Sequence, residues 1–403
     1  MSDCITVIGL TDNPEPGLTQ EAMQAVKKHR VFAGGERHRK IVARMLPEGS
    51  RWITIKPPIG DVLKAFSDEP GPVLAFTSGD PLFYGFGATL QKAFPDAVYA
   101  YYPSFHSLQL LAHRCRMPYQ SMRHASLTGR DWSELDCALI EGGKLIGVLT
   151  DRQKAPAAIA KRMLEFGFSK YSMIVGEALG GVKEHVSEYT LEDACRRRFH
   201  ELSCVILRAF RPHMRHFGIP DEKFEGLPGR PNMITKMPVR MVTLARLDLV
   251  NARNFWDVGF CTGSVSIEAR LRFPRIDITA FEKRNECSAF LERNSRKWGA
   301  PGIRMVMGDF FLQNHTEYTG AQGRVDAVFV GGHGGRLEEM LACIDPFLSD
   351  GGRIVINAVQ RESLEQFHEH AGKCSYRIFE DMTIAVDGYN PITVAAMEKT
   401  RKS

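Results

Sequence analysis

The residues best suited to chemistry stand at three strand ends in the C-terminal half. In Trp256-Asp257-Val258-Gly259-Phe260-Cys261-Thr262-Gly263-Ser264 an apolar run closes on an acid, a turn of small residues follows, and a helix begins at Ser264. Gly259 and Gly263 carry no Cβ, so the backbone there can pass close to a ligand where a side chain would collide. About 25 residues on, Ile278-Thr279-Ala280-Phe281-Glu282 ends in a second acid, and a carboxylate at that place can accept hydrogen bonds from both hydroxyls of a ribose. A third run ends at Met307-Gly308-Asp309, where Asp309 can accept from an adenine amino group. Each motif alone is a common accident. Three on successive strands, all on the carboxyl edge where open sheets bind ligands, point to a nucleoside. The run Gly259, Cys261, Ser264 lacks two of the three glycines of a dinucleotide fingerprint, so a pyrophosphate cradle is not expected.

The N-terminal half carries a different set of loops. Val7-Ile8-Gly9-Leu10 leads into a loop over residues 11–17 that is rich in Pro and Gly. In Thr77-Ser78-Gly79-Asp80-Pro81-Leu82 the Gly and Pro force an unusual turn that presents Asp80, and Tyr102-Pro103-Ser104-Phe105-His106-Ser107 closes a further strand. An Asp-Pro turn on its own is ordinary punctuation. Elsewhere, His38 in Arg37-His38-Arg39-Lys40 reads as part of a solvated helix face, the alternative being attraction of substrate carboxylates; Arg196-Arg197-Arg198 reads as solvated too. His368 and His370 flank Glu369 at a spacing that does not bring all three to one helix face, which argues against a metal site. His333, between two glycine pairs, is either a spacer or a proton-transfer group.

Rigid elements must stand behind these loops. β-branched runs at Cys4–Leu10 and at residues 72–77, 97–102, 144–150, 172–177 and 204–207 alternate with helical stretches such as 155–166. Thr190-Leu191-Glu192-Asp193 reads as a capped helix start. Such alternation predicts α/β layers with largely parallel strands. Residues 211–236 carry Pro212, Pro220, Pro228 and Pro231 with Gly218, Gly226 and Gly229, which break both periodicities and mark a domain boundary. The alternation then restarts with a helix at 239–247, the strand Asn254–Val258 and the helix Ser264–Arg272. Strands follow at Asp277–Glu282, Ile303–Met307, Val325–Val330 and 353–357, and β-rich runs at 376–386 and 392–398 are expected as antiparallel edge strands. This is the layout of a doubly wound nucleotide-binding domain.

A chain of 403 residues with 44% hydrophobic and 25% charged residues has the composition of globular protein in two or three domains. No run approaches the ~20 apolar residues of a membrane span, and Met1-Ser2-Asp3-Cys4-Ile5 lacks the parts of a secretory signal; a cytoplasmic protein without a membrane partner is expected. The nine cysteines are scattered with no C-x-x-C pair, which favours reduced thiols over disulfides or zinc. The net charge of +5 suits an acidic small-molecule substrate and is too mild for a nucleic-acid partner.

The second half resembles the decarboxylating precorrin methyltransferases that act at ring carbon C15. The likeness rests on Thr235-Lys236, Val239-Arg240, Asp257 to Gly263 with Ser264-Val265-Ser266-Ile267-Glu268, and Val330-Gly331-Gly332-His333-Gly334-Gly335-Arg336-Leu337. Gly351-Gly352-Arg353, Asn357-Ala358-Val359 and Asn390-Pro391 extend it. Cys261 stands where those enzymes usually have glycine, and Met237-Pro238 replaces a polar pair. The first half resembles the tetrapyrrole methylases, specifically the precorrin C5-methyltransferases. The three loops above carry that likeness together with Ala33-Gly34-Gly35-Glu36-Arg37-His38, Leu127-Thr128-Gly129-Arg130, Leu149-Thr150-Asp151 and Gly176-Glu177-Ala178-Leu179-Gly180.

These resemblances imply an α/β chain with a tetrapyrrole-methylase fold of two α/β subdomains over residues 1–210. A linker at 211–229 and a class I Rossmann-like methyltransferase domain over 230–403 would follow. They imply S-adenosylmethionine in both domains. In the first it would be held by Gly9, Gly79, Asp80, Leu82, Ser104, His106, Ser107 and Thr150. In the second it would be held by Thr235, Asp257, Gly259, Gly263, Glu282, Gly308 and Asp309, with His333 the catalytic candidate and no metal. The implied reaction methylates a polycarboxylate corrin-ring precursor at C5 and C15 and removes the carboxyl of the C12 acetate arm, in cobalamin synthesis, by a homo-oligomer. Two rival readings differ in class. A nucleic-acid methyltransferase would carry an Asn/Asp-Pro-Pro-aromatic motif after the fourth strand, which is missing here. A corrinoid-binding protein with one degenerate site is suggested by Cys261 and the glycine-poor first loop.

Overall fold

Five short strands form the first sheet: β1 (Cys4–Leu10), β2 (Val31–Gly34), β3 (Arg51–Thr54), β4 (Val73–Ser78) and β5 (Val98–Tyr102), in the order β3-β2-β4-β1-β5. The computed structural model describes residues 4–212, 214, 216–230, 232–320, 322–388 and 390–400; Met1, Ser2, Asp3 and Pro231, named above, lie outside the described residues. Every pairing in this sheet is parallel. β1 and β4 are buried along nearly their whole length, which is why they read as continuous apolar runs. One face packs Val62, Phe66 and Leu90 from covering helices, and the other packs Ala22 and Val26. The helix Gln20–Lys28 starts at Thr19, whose hydroxyl accepts from the Ala22 N–H.

The second sheet holds β6 (Arg123–Ser126), β7 (Leu145–Leu149), β8 (Tyr171–Glu177), β9 (His185–Tyr189) and β10 (Ser203–Ala209), in the order β6-β7-β10-β8-β9. Only β6 and β7 run parallel; the remaining pairs are antiparallel. The expectation of largely parallel strands fails for this sheet. Residues 178–184 between β8 and β9 are too few for a crossover helix, and β10 returns between β7 and β8 against both. Four strands were not anticipated, β2, β3, β6 and β9. β3, β6 and β9 carry Arg51, Arg123 and His185, so no apolar run announces them, and the apolar β2 is only four residues long.

The third sheet contains β11 (Asn254–Val258), β12 (Asp277–Glu282), β13 (Ile303–Met307), β14 (Val325–Val330), β15 (Leu348–Ala358), β16 (Tyr376–Ile378), β17 (Met382–Ile384) and β18 (Ile392–Lys399). Its order is β13-β12-β11-β14-β15-β18-β16, with β17 also on β18. The first five strands are parallel and β18 is antiparallel to its neighbours. β18 is therefore not the edge strand expected of residues 392–398. Its buried centre, Val394 to Met397, is paired on both sides, and the run 376–386 supplies two short strands on its outer flank. The strand order reverses between β11 and β14, which makes their carboxyl ends the switch point where an open α/β sheet leaves a crevice.

By its contacts the chain divides into two units, residues 1–131 with 144–162 and 170–211, and residues 132–143 with 163–169 and 212–403. Part of the Gly/Pro-rich segment at 211–229 is built into the second unit. Ile219 is buried and its N–H donates to Glu268 at 2.6 Å. Arg240 donates to the Ile219 carbonyl and, at 3.2 Å, to Asp221. Arg240 and Glu268 are an ion pair at 3.4 Å with no exposed side-chain surface, and a buried pair stays folded only when its remaining donors and acceptors are met. The irregular segment meets them. Among the described residues no helix is long and apolar enough to cross a membrane. None groups three or more His, Cys, Asp or Glu side chains for a metal ion, and all nine cysteines are free.

Candidate active sites

In the second unit the chain turns sharply after β11. Gly259 has φ +84°, and a Cβ on it would stand 2.8 Å from the Gly332 nitrogen, so only glycine lets this turn close on the loop after β14. The two loops are tied where the Gly331 N–H donates to the Val258 carbonyl at 2.8 Å. Gly263 has φ +75°, and a Cβ there would meet Leu291 at 2.3 Å. The room these glycines provide therefore serves the chain's own packing, and Gly263 lines no cavity at this site. Cys261 adopts φ +48°. It is held there by its N–H on Glu282 (3.1 Å) and its thiol on the Met233 carbonyl (3.1 Å).

Glu282 closes β12 and is buried. Its Oε1 accepts from the Lys283 and Arg284 N–H groups at 3.0 Å each and from Arg284 Nε at 3.1 Å, while Oε2 accepts from Cys261. The carboxylate thus organises the turn and keeps capacity on Oε2 for a further donor. Asp257 accepts on Oδ2 from the Ser266 hydroxyl at 2.5 Å and the Ser266 N–H at 3.1 Å. Burial pushes its pKa up to about 7, against the Ser266 hydrogen bonds and with help from Glu282.

Two cavities share Gly259 and Arg284. One, of about 340 Å³, is lined by Glu282, Gly308, Asp309 and His333 among others. The second, of about 220 Å³, is lined by Thr235, Asp257, Thr262 and Asn357 among others. Asp257 Oδ1, Thr262 Oγ1 and Asn357 Nδ2 are buried without a hydrogen-bond partner. Unpaired buried polar atoms are costly unless a ligand meets them. An acceptor, a hydroxyl and an amide donor in one cavity, beside two carboxylates in the other, fit a ligand with an amino acid at one end and a nucleoside at the other. His333 faces Ser363 Oγ at 3.4 Å through Nε2, and its Nδ1 is buried without a partner. Burial lowers its pKa below the usual histidine value, so the imidazole is neutral at pH 7. Lys283 and Arg284, not anticipated, sit directly after the strand-ending acid, and that adjacency was the available signal.

In the first unit a cleft of about 390 Å³ opens at the ends of the two sheets. Gly79, His106, Ser107 and Thr150 line it. Gly9 and Ser104 line a smaller neighbour of about 120 Å³. Asp80 and Leu82 line neither: the Asp80 carboxylate accepts the Leu82 N–H at 2.8 Å and fixes the turn, and Leu82 is half exposed. A Cβ on Gly9 would collide with the Gly79 carbonyl, and one on Gly79, at φ +63°, would stand 2.6 Å from His106 Cα. His106 caps the helix Ser107–Arg114, its Nδ1 accepting from the Gln109 N–H at 3.3 Å, and stacks on Phe83 at 3.8 Å. Burial, then His124, lowers its pKa to about 4, with Asp80 opposing. His38 is not on a solvated face. Its Nε2 meets Ser78 Oγ at 3.1 Å, burial and then Arg37 lower its pKa to about 4, and only Arg39 and Lys40 of that run are exposed. Arg37, Phe83, Tyr84 and Phe105 also line the cleft. The aromatic residues following Pro81 and Ser104 were the signal for three of these.

A family described as a precorrin methyltransferase domain matches residues 230–384. A decarboxylating precorrin-6Y C(5,15)-methyltransferase from Sinorhizobium sp is 30% identical over 361 residues, 89% of this chain and 85% of that one. The chain belongs to this family. A decarboxylating cobalt-precorrin-6B C(15)-methyltransferase from Salmonella typhimurium is 35% identical over 150 residues, 37% of this chain and 73% of that one. Among solved structures, a precorrin-6Y C5,15-methyltransferase from Geobacter metallireducens shares 31% identity at a TM-score of 0.41, covering 46% of this chain and 98% of that one. The paired sheets of the first unit are a tetrapyrrole-methylase fold, and the doubly wound sheet of the second is a class I methyltransferase fold.

Proposed function

We propose that this protein transfers two methyl groups from S-adenosylmethionine to a polycarboxylate corrin precursor. Residues 1–210 would act at C5, and residues 230–403 would act at C15 and release the carboxyl of the C12 acetate arm. The observation that carries this is a separate ligand cavity in each unit of a chain from this family. When bound, the cofactor supplies an electrophilic methyl group to an enamine-like ring carbon. In the second unit Glu282 and Asp309 hold the nucleoside end, and Asp257, Thr235 and Asn357 hold the amino acid end. In the first, Gly79, His106, Ser107 and Thr150 wall the cofactor. Each site aligns donor and acceptor, so positioning supplies most of the acceleration and no strong base is required. His333 is the group available to move a proton at Nδ1. The reading includes a cytoplasmic location, in keeping with nine free cysteines.

Anaerobic incubation with metal-free and cobalt-loaded precursors, read by mass spectrometry, tests it. The expected product has gained two methyl groups and lost one carbon dioxide. Two cofactor molecules should bind per chain. A single binding site, or a product with one methyl and no decarboxylation, would sink the reading.

A further inference from the structure

Three large side chains at the first cleft line it and yet stand in water: Tyr84 exposes 37% of its surface, Phe105 52% and Leu202 37%. Apolar groups gathered at the edge of a cavity mark a binding surface, whereas stray exposed ones do not. Tyr84 is also held at φ +52°. That left-handed conformation costs roughly 1–2 kcal/mol in an L-residue with a side chain and persists only where the surroundings enforce it. The Tyr84 ring meets Phe83 edge-on at 5.0 Å and has the Arg130 guanidinium over it at 4.9 Å.

The charges around this mouth are unequal. Asp12 is paired with Arg37 at 2.7 Å and Glu201 with Arg152 at 2.8 Å. Arg130 is exposed, and among the described residues no acid pairs with it. The cleft volume of about 390 Å³ suits one molecule of the donor's size. A macrocycle of four pyrrole-derived rings must then lie across the mouth.

We propose that Tyr84, Phe105 and Leu202 form a shelf for one face of the tetrapyrrole ring at the C5-methylating site, with Arg130 receiving one of its carboxylate arms. The conjugated stretches and apolar edges of such a macrocycle gain from aromatic contact, and a guanidinium grips a carboxylate through two parallel hydrogen bonds. This rests on the reading that the first unit acts on a corrin precursor.

The test uses the full chain and two readouts, C5-methylation kinetics and fluorescence titration with uroporphyrin, a polycarboxylate tetrapyrrole. Tyr84→Ala and Phe105→Ala should each raise the KM for the tetrapyrrole about ten-fold, the scale of an aromatic anchor lost from an interface. The KM for the donor and the C15 reaction should not change. Tyr84→Phe should restore the wild-type KM. Arg130→Gln, at an exposed position that does not threaten folding, should weaken uroporphyrin binding and reduce its salt dependence. Wild-type KM in both alanine variants, with uroporphyrin binding unaltered in Arg130→Gln, would overturn the shelf while leaving the substrate reading intact. A wild-type chain that neither binds uroporphyrin nor methylates a precursor would overturn both.

Discussion

Glu282→Gln is the sharpest probe of the second site because its carboxylate is so fully used. Oε1 takes three donors and Oε2 takes the Cys261 N–H. A carboxamide keeps one oxygen. With that oxygen toward Lys283 and Arg284, the new NH2 faces the Cys261 N–H, donor against donor, and can no longer accept from a ribose hydroxyl. The reverse orientation sets the NH2 against three donors and is worse. The least loss is one hydrogen bond to a charged acceptor, worth roughly 1.5–3 kcal/mol, or about one to two decades in affinity. The Arg284 contact adds little, since that side chain is 28% exposed and screened. Calorimetric titration of the full chain with S-adenosylhomocysteine should resolve two sites, one weakened by that amount and one unchanged. The turn at Cys261 should loosen as well, lowering the melting temperature of the second unit. Unchanged affinity at both sites, or equal loss at both, would refute the assignment.

Other expectations follow from the same geometry. Asp257 has its pKa raised to about 7, so between about pH 4 and 7 its folded carboxyl holds a proton that the unfolded chain has released, and its own contribution to stability falls as pH rises through that window, against the opposite slope of His38 and His106 at about 4. In Asp257→Asn that fall should vanish in melts from pH 4 to 8, while cofactor binding at the second site weakens; parallel pH curves would count against the buried acid. Gly79→Ala drives a Cβ to 2.6 Å from His106 Cα and should abolish C5 methylation alone. Gly259→Ala meets Gly332 at 2.8 Å and should abolish C15 methylation and carbon dioxide release alone, each product being weighed by mass spectrometry on its own intermediate. Loss of both activities from either change would mean one composite site. His333→Gln should slow carbon dioxide release about a hundred-fold, the scale of a lost proton-transfer group, with cofactor affinity intact; an unaltered rate would make His333 a spacer.

The central strands were legible because burial on both faces writes itself as apolar runs. β1, β11, β12 and β14 lie where the sequence puts them, as do the edge strand β13 and the helix Ser264–Arg272. Short polar strands such as β6 and β9 gave no such trace, and the reversal of direction in the second sheet depends on which strand slips between β7 and β8. At the site, residue types at strand ends revealed Asp257, Glu282 and Asp309. What those ends do depends on partners remote in the chain. Gly259 answers to Gly332, Gly263 to Leu291, and His38 to Ser78. The Glu282 carboxylate is occupied largely by backbone N–H groups, whose direction no residue spacing reports.

The ion pair of Arg240 with Glu268 bears on where this chain could be divided. Both side chains are sealed from water, and two of their partners, Ile219 and Asp221, precede residue 230. A piece starting at 230 would keep the pair and lose the Ile219 N–H, the Ile219 carbonyl and the Asp221 carboxylate that satisfy it, and each buried polar group left unmet costs about 1–3 kcal/mol. Together these are a large share of the ~5–15 kcal/mol that holds a domain folded. A free-standing C15 enzyme cut from this sequence would have to begin ahead of Gly218. The stretch that looks dispensable in the sequence is thus the clasp of the second domain, and fusion or fission at this junction can succeed only on its N-terminal side.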